Sequence, residues 1–166
     1  MKISLIEPAA PGPHVFNKIK LPRLGLPILG TILKNRGHEV KIYVEDIKNI
    51  DFEEIYSSDI IGISTITPTT PRGFQLADRI KQKRPSLPVI MGGPHVTFLQ
   101  EEALTHVDYC ILGEGEKNFP ELIKALNPKN NEKKIEEING IAYNKNENLI
   151  IQNRKDCINM NELPIP

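Results

Sequence analysis

Five short apolar runs, rich in β-branched residues, alternate with turn-rich loops and stretches of helical periodicity. This alternation constrains the fold more than any other feature. The runs are Ile3–Ile6, Val40–Val44, Ile60–Ser64, Val89–Met91 and Tyr109–Leu112. They are apolar on consecutive positions, as strands of a parallel sheet must be when helices cover both faces. Between them, Leu26, Leu29 and Leu33 form the stripe of a first helix, with Gly37 placed to cap its C-terminus. A short turn of helix is expected over Phe52–Tyr56. The next helix is clearest: Thr70 suits an N-cap, Pro71 the first helical position, and Phe74, Ala77 and Ile80 the buried stripe. Lys81, Lys83 and Arg84 complement its C-terminal dipole. Further helices are expected over Thr97–Leu104 and Glu116–Leu126, with Pro120 tolerated early in the second.

Repeated strand–helix units define a doubly wound α/β sheet. A chain of 166 residues suits one such domain. The size favours a Rossmann-like, flavodoxin-like parallel sheet of five strands in the order 2-1-3-4-5. That domain is expected to occupy residues 1–127. Residues 128–137 are rich in Lys, Asn and Glu and read as a solvated loop. Gly140–Tyr143 and Leu149–Gln152 then flank Asn144–Asn148 as a β-hairpin. The final Leu163-Pro-Ile-Pro166 reads as a linker, so residues 128–166 are expected to lead toward a further domain.

Composition narrows the function. The chain carries 21 basic and 21 acidic residues, which argues against a nucleic-acid partner. No apolar run is long enough for a membrane span, and the first strand meets Pro8 too soon for a signal peptide, so a cytoplasmic location is expected. Cys110 and Cys157 stand far apart with no His at ligand spacing, and no protein-ligated metal is expected. Cys110, inside an apolar run, reads as a small buried hydrophobe.

In a parallel sheet, ligands bind outside the carboxyl ends of the strands. There the chain places Glu7-Pro-Ala-Ala-Pro-Gly-Pro13, Ser64-Thr-Ile-Thr-Pro-Thr-Thr-Pro71, Gly92-Gly-Pro-His95 and Gly113-Glu-Gly-Glu116. Rigid prolines and side-chain-free glycines on one edge make a preformed cleft that a large ligand can approach closely. No P-loop is present, and Gly113-x-Gly115 is half of a dinucleotide fingerprint placed after the wrong strand. The edge offers hydroxyls (Ser64, Thr65, Thr67, Thr69, Thr70, Thr97) and backbone amides but few cations, which suits a bulky ligand rich in neutral amides. No nucleophile–base set accompanies them. Each loop alone has a plainer reading: Gly92-Gly93 as a tight turn, Thr70-Pro71 as a helix start, Glu114 and Glu116 as complements to a helix N-terminus. Their convergence on one edge is what favours a site.

Several stretches resemble the cobalamin-binding domain found at the N-terminus of B12-dependent radical SAM proteins. They are Pro22-Arg-Leu-Gly-Leu-Pro27, Arg36-Gly-His-Glu-Val40, Asp59-Ile-Ile-Gly-Ile-Ser64, Met91-Gly-Gly-Pro-His-Val-Thr97 and Val107-Asp-Tyr-Cys-Ile-Leu-Gly-Glu-Gly-Glu116. Gly-Gly-Pro-His followed about 20 residues later by Gly-Glu-Gly-Glu is the specific part. The resemblance implies a corrin ring across the carboxyl edge and a nucleotide tail running between the third- and fourth-strand loops. It implies that Ser64, Thr65 and Thr67 contact the tail or its phosphate. Gly92 and Gly93 would let the tail pass close to backbone, and Pro94, His95 and Val96 would shape its wall. Gly113, Glu114 and Gly115 would close the far side, with Pro8, Ala9, Ala10, Pro11 and Gly12 under the corrin.

Two departures qualify what the resemblance carries. Many cobalamin domains have Asp-x-His-x-x-Gly after the first strand, its His serving as lower cobalt ligand. Here the loop reads Glu7-Pro-Ala-Ala-Pro-Gly12, and His14 stands out of register. A His–cobalt bond is therefore not expected. The three-cysteine motif that holds a [4Fe–4S] cluster for S-adenosylmethionine cleavage is also missing, so cluster and S-adenosylmethionine are expected only in a downstream radical SAM domain of the same polypeptide, a methyltransferase or cyclase. Alternative readings are a stand-alone flavodoxin-like flavin or nucleotide binder, or a receiver-like interaction domain.

Overall fold

The structure is a computed structural model that describes residues 1–10, 12, 22–128, 134–153, 159, 161 and 163–165. In chain order it runs β1 (Lys2–Glu7), α1 (Gly25–Asn35), β2 (Glu39–Val44), α2 (Phe52–Tyr56), β3 (Ile60–Ser64) and α3 (Thr70–Lys83). There follow β4 (Val89–Gly92), α4 (Pro94–Phe98), α5 (Gln100–Ala103), β5 (Tyr109–Ile111), α6 (Gly115–Leu126), β6 (Ile141–Lys145) and β7 (Asn148–Gln152). The strands form one sheet in the order β2-β1-β3-β4-β5-β6-β7. Strands β1 to β5 are parallel in the expected order 2-1-3-4-5, with Leu5 opposite both Ile42 and Gly62.

One expectation needs correction. The sheet is not five parallel strands with a hairpin appended; it is a mixed sheet of seven strands. β6 pairs antiparallel with β5, Cys110 opposite Ala142, and β7 pairs with β6. The reason lies in the burial of Ile138, Ile141, Ala142 and Tyr143, whose apolar surface completes the core while the hairpin covers the open edge of β5. The hairpin turn is tighter than Asn144–Asn148, because Asn146 and Glu147 both hold positive φ (50° and 65°), the geometry of a two-residue connection.

Consecutive strand residues feed opposite faces. Ile3, Leu5, Ile60, Ile90 and Ile111 pack under α1 and α6, against Leu26, Leu33, Phe119, Leu122 and Ile123. Ile6, Ile61, Ile63, Val89 and Met91 pack under α3, against Phe74, Ala77 and Ile80. Each fully buried Ile or Leu contributes about 1.5–3 kcal/mol. Cys110 belongs to the second core, and burial pushes its thiol up to about 12, so it is an inert hydrophobe. Cys157 lies outside the described residues.

Three local expectations shift. The single helix over Thr97–Leu104 is two short helices, broken at Leu99 (φ −124°, ψ 48°) after a start fixed by Pro94. Thr70 is the first residue of α3 rather than its cap; a 3-10 turn over Thr67–Thr69 precedes it, and the Thr69 and Thr70 hydroxyls donate to Ile66 O. α6 begins at Gly115, one residue early. No helix among the described residues is long and apolar enough to cross a membrane.

Candidate functional site

The parallel register delivers the ends of β1, β3, β4 and β5 to one edge, and short contacts stitch the loops there. The Thr65 amide donates to Gly92 O (2.9 Å), extending the β3–β4 ladder beyond β3. The Thr97 hydroxyl donates to Gly93 O (3.0 Å) and accepts from the Gly113 amide (2.9 Å), so it ties the fourth loop to the fifth. Arg23 ties the first to the third. Its Nε lies 3.2 Å from Glu7 Oε1, its amide donates to Glu7 Oε2 (3.0 Å), and its Nη2 donates to Ser64 O (2.7 Å).

Gly93 is a very close backbone approach on this rim. Its φ of +113° is one that L side chains rarely adopt, and a Cβ there would stand 2.0 Å from Thr65 O. Only glycine lets the β4 loop lie against the β3 loop this tightly.

Between the rim and helices α1 and α6 lies a cleft of about 180 Å³. Its walls are Leu26 and Leu29 of α1, Phe119 of α6, Ile90 and Ile111 of the sheet, and the backbone of Gly92, Gly93, Gly113 and Gly115. Gly62 lies at its base; a Cβ there would sit 2.8 Å from Leu5 Cδ2 and 2.9 Å from Phe119 Cζ. The volume is on the scale of the roughly 150 Å³ cavity that accepts a benzene ring. That volume matches one flat aromatic group and is too small for a macrocycle.

The expected site residues fall into two groups. Ser64, Gly92, Gly93, Gly113, Glu114 and Gly115 line the cleft. Thr65 does not; it is fully buried, and its methyl lies 2.6 Å from where a Cβ of Gly73 would stand, so its side chain faces α3. Val96 is buried in the α3-side core. Thr67 and Pro94 are exposed on the rim. His95 lies beside them, Nδ1 3.4 Å from Thr67 Oγ1 and Nε2 3.3 Å from Glu102 Oε2. Pro8, Ala9, Ala10 and Gly12 continue from β1 at the same edge; Pro11 and His14 lie outside the described residues. Sequence reasoning missed Gly25, Leu29, Gly62 and Phe119. Gly62 carried a usable signal, since glycine inside an apolar strand often marks close approach by another group.

A second ion pair braces the first loop. Arg72 donates to Glu45 through Nε and Nη2, and the Ala9 amide donates to Glu45 Oε2 (3.0 Å). Burial works to raise the Glu45 carboxyl, but the hydrogen bonds from Arg72 and Ala9 outweigh it and hold it below the ordinary glutamate value. A depressed folded pKa contributes stability that is present above the unfolded value, about 4.3, and is lost as pH falls through the folded value. Urea titrations at pH 6.5 and below 4 are expected to show wild-type stability falling on acidification, with a smaller fall in Glu45→Gln.

Residues 18–123 match the family model for the B12 binding domain. The fold and the glycine-walled cleft accord with that match, and the chain belongs to the B12-binding domain family. It is 32% identical over 155 residues to an uncharacterized methyltransferase of Pyrococcus horikoshii, covering 87% of this chain and 33% of that protein. It is 28% identical over 164 residues to the anaerobic magnesium-protoporphyrin IX monomethyl ester cyclase of Synechocystis sp., covering 90% of this chain and 32% of the cyclase. The chain thus spans about a third of the length of these relatives. Among solved structures, the cobalamin-dependent S-adenosylmethionine radical enzyme OxsB with aqua-cobalamin bound superposes with a TM-score of 0.72 at 21% identity, over 94% of this chain and 22% of that one. That likeness shows the fold.

Proposed function

We propose that this chain is the cobalamin-holding module of a larger radical SAM enzyme, a methyltransferase or cyclase. In this reading the corrin lies across the carboxyl edge of the sheet and the nucleotide tail enters the cleft. The observation that carries the reading is the cleft itself: it opens on that edge, is walled by glycine backbone and aliphatic side chains, and has room for one flat aromatic base. Ser64 supplies a hydroxyl at its mouth, and Gly92, Gly93 and Gly113 allow close approach. The loop from Pro8 to Gly12, with Thr67, Pro94 and His95, borders the corrin. Thr65 and Val96 support the rim from the opposite core.

Cobalamin, when bound, supplies a cobalt centre able to carry a methyl group or exchange electrons. This chain's own residues bind and orient it and exclude water from the tail. The [4Fe–4S] cluster and S-adenosylmethionine belong, in this proposal, to a radical SAM domain of the same polypeptide beyond the hairpin, in the cytoplasm. Incubation of the chain with hydroxocobalamin, followed by desalting, is expected to leave a coloured protein with about one cobalamin per chain. A colourless protein contradicts the proposal.

A further inference from the structure

In the order β2-β1-β3-β4-β5 the winding of the sheet reverses between β1 and β3, with α1 covering one face and α3 the other. The crevice at such a reversal is where open α/β sheets bind ligands. Arg23 stands across it. Its Nε lies 3.2 Å from Glu7 Oε1 at the end of β1, and its Nη2 donates to Ser64 O at the end of β3 (2.7 Å). Ser64 and Gly25 both line the cleft, so Arg23 stands beside its mouth. The Glu7 side chain is buried, whereas that of Arg23 keeps 31% of its surface exposed. A guanidinium carries five N–H donors in one plane, and these two contacts occupy two of them. Nη1 makes no hydrogen bond among the described residues, and it is not buried. Two other basic side chains near this edge are already engaged. Arg72 donates to Glu45 and Gln75 from α3, on the opposite face, and His95 lies against Thr67 and Glu102.

Resting on the cobalamin reading above, we propose that Arg23 is a binding residue for the phosphodiester of the nucleotide tail. That group joins the base to the corrin. With the base in the cleft and the ring across the rim, it passes the mouth beside Arg23. A planar fork of N–H donors suits phosphate oxygens, and its bonds to them are charge-assisted. Glu7 and Ser64 O hold the fork in place before any ligand arrives, so less side-chain freedom is lost on binding. Glu7 also offsets the charge of Arg23 at a distance. Recognition therefore rests on direct N–H to oxygen bonds rather than on long-range attraction.

The test is a visible-absorbance titration of the chain with cobalamin, cobinamide phosphate and cobinamide, which share the corrin and differ in the tail. It is repeated on Arg23→Gln, Arg23→Lys and the double variant Glu7→Gln/Arg23→Gln. The double variant removes the buried carboxylate that Arg23→Gln alone leaves unpaired, and thermal denaturation verifies that each protein is folded. Wild type is expected to bind cobinamide phosphate about ten-fold more tightly than cobinamide, the scale of one hydrogen bond between charged groups. Both Gln variants are expected to lose that margin and to bind cobalamin about ten-fold more weakly, with cobinamide unchanged. Arg23→Lys, which keeps the charge without the fork, is expected to retain part of the margin. Equal wild-type affinity for cobinamide and cobinamide phosphate, or the same loss for all three corrinoids in the double variant, overturns the assignment and leaves Arg23 a brace between two loops. Failure of every corrinoid to bind wild type overturns instead the reading on which it rests.

Discussion

Gly93→Ala is expected to lower the melting temperature by about 10 °C, the shift that a loss of roughly 3 kcal/mol produces in a domain of this size. Two costs combine. The positive φ alone costs about 1–3 kcal/mol in a non-glycine residue. The added Cβ also stands 2.0 Å from Thr65 O, a backbone atom that cannot turn aside as a flexible side chain would. Relief requires the β3 and β4 loops to part, breaking the Thr65–Gly92 hydrogen bond and moving the rim. Gly37→Ala separates the two costs. Gly37 ends α1 with φ +82° and has nothing within 4 Å of the added Cβ, so only the conformational cost, about 1 kcal/mol, applies. Differential scanning calorimetry of the two variants checks the prediction. Equal shifts would mean that the contact between the loops carries no energy.

Gly115→Leu is expected to do the reverse, leaving the fold intact and abolishing cofactor retention. A Cβ on Gly115 meets Ile111 Cγ2 at 3.5 Å and Leu29 Cδ1 at 3.7 Å, ordinary contact distances, and φ is not positive. Leucine also suits the first turn of a helix better than glycine does. The remainder of the side chain has to enter the cleft that Gly115 lines. Far-ultraviolet dichroism and melting temperature should stay close to wild type, while affinity for cobalamin falls by at least about 100-fold, or roughly 2.8 kcal/mol at 1.4 kcal/mol per decade. A folded variant that still retains cobalamin places the tail elsewhere.

The parallel sheet was legible because its strands are apolar on consecutive positions, a pattern that only two-sided burial explains. The shared rim followed from that parallelism, since every crossover loop then ends on the same edge. What escaped was geometry set by contacts distant in sequence. The hairpin's place beside β5 depends on Ile141, Ala142 and Tyr143 meeting a core built by other elements, and no local signal specifies that pairing. Thr65 and Val96 were expected beside the tail because the resemblance carries whole loop stretches over without showing which side chains face it. Strand alternation turns Thr65 toward α3, and the first turn of α4 buries Val96 in the same core. The α1 and α6 walls escaped because Leu26 and Leu29 read as an ordinary core stripe and nothing in the sequence set Phe119 apart, while the cleft is a gap left between these side chains.

Electron paramagnetic resonance of the chain loaded with cob(II)alamin tests the central claim most directly. In the proposed arrangement the tail lies in the cleft and no His–cobalt bond forms, so the cobalt signal is expected to lack nitrogen superhyperfine splitting. Splitting that disappears with cobinamide would mean that the base remains on cobalt and the cleft does not take it. Splitting that persists with cobinamide and is lost in His14→Ala or His95→Ala would mean that the protein supplies the ligand. Either result would contradict the account.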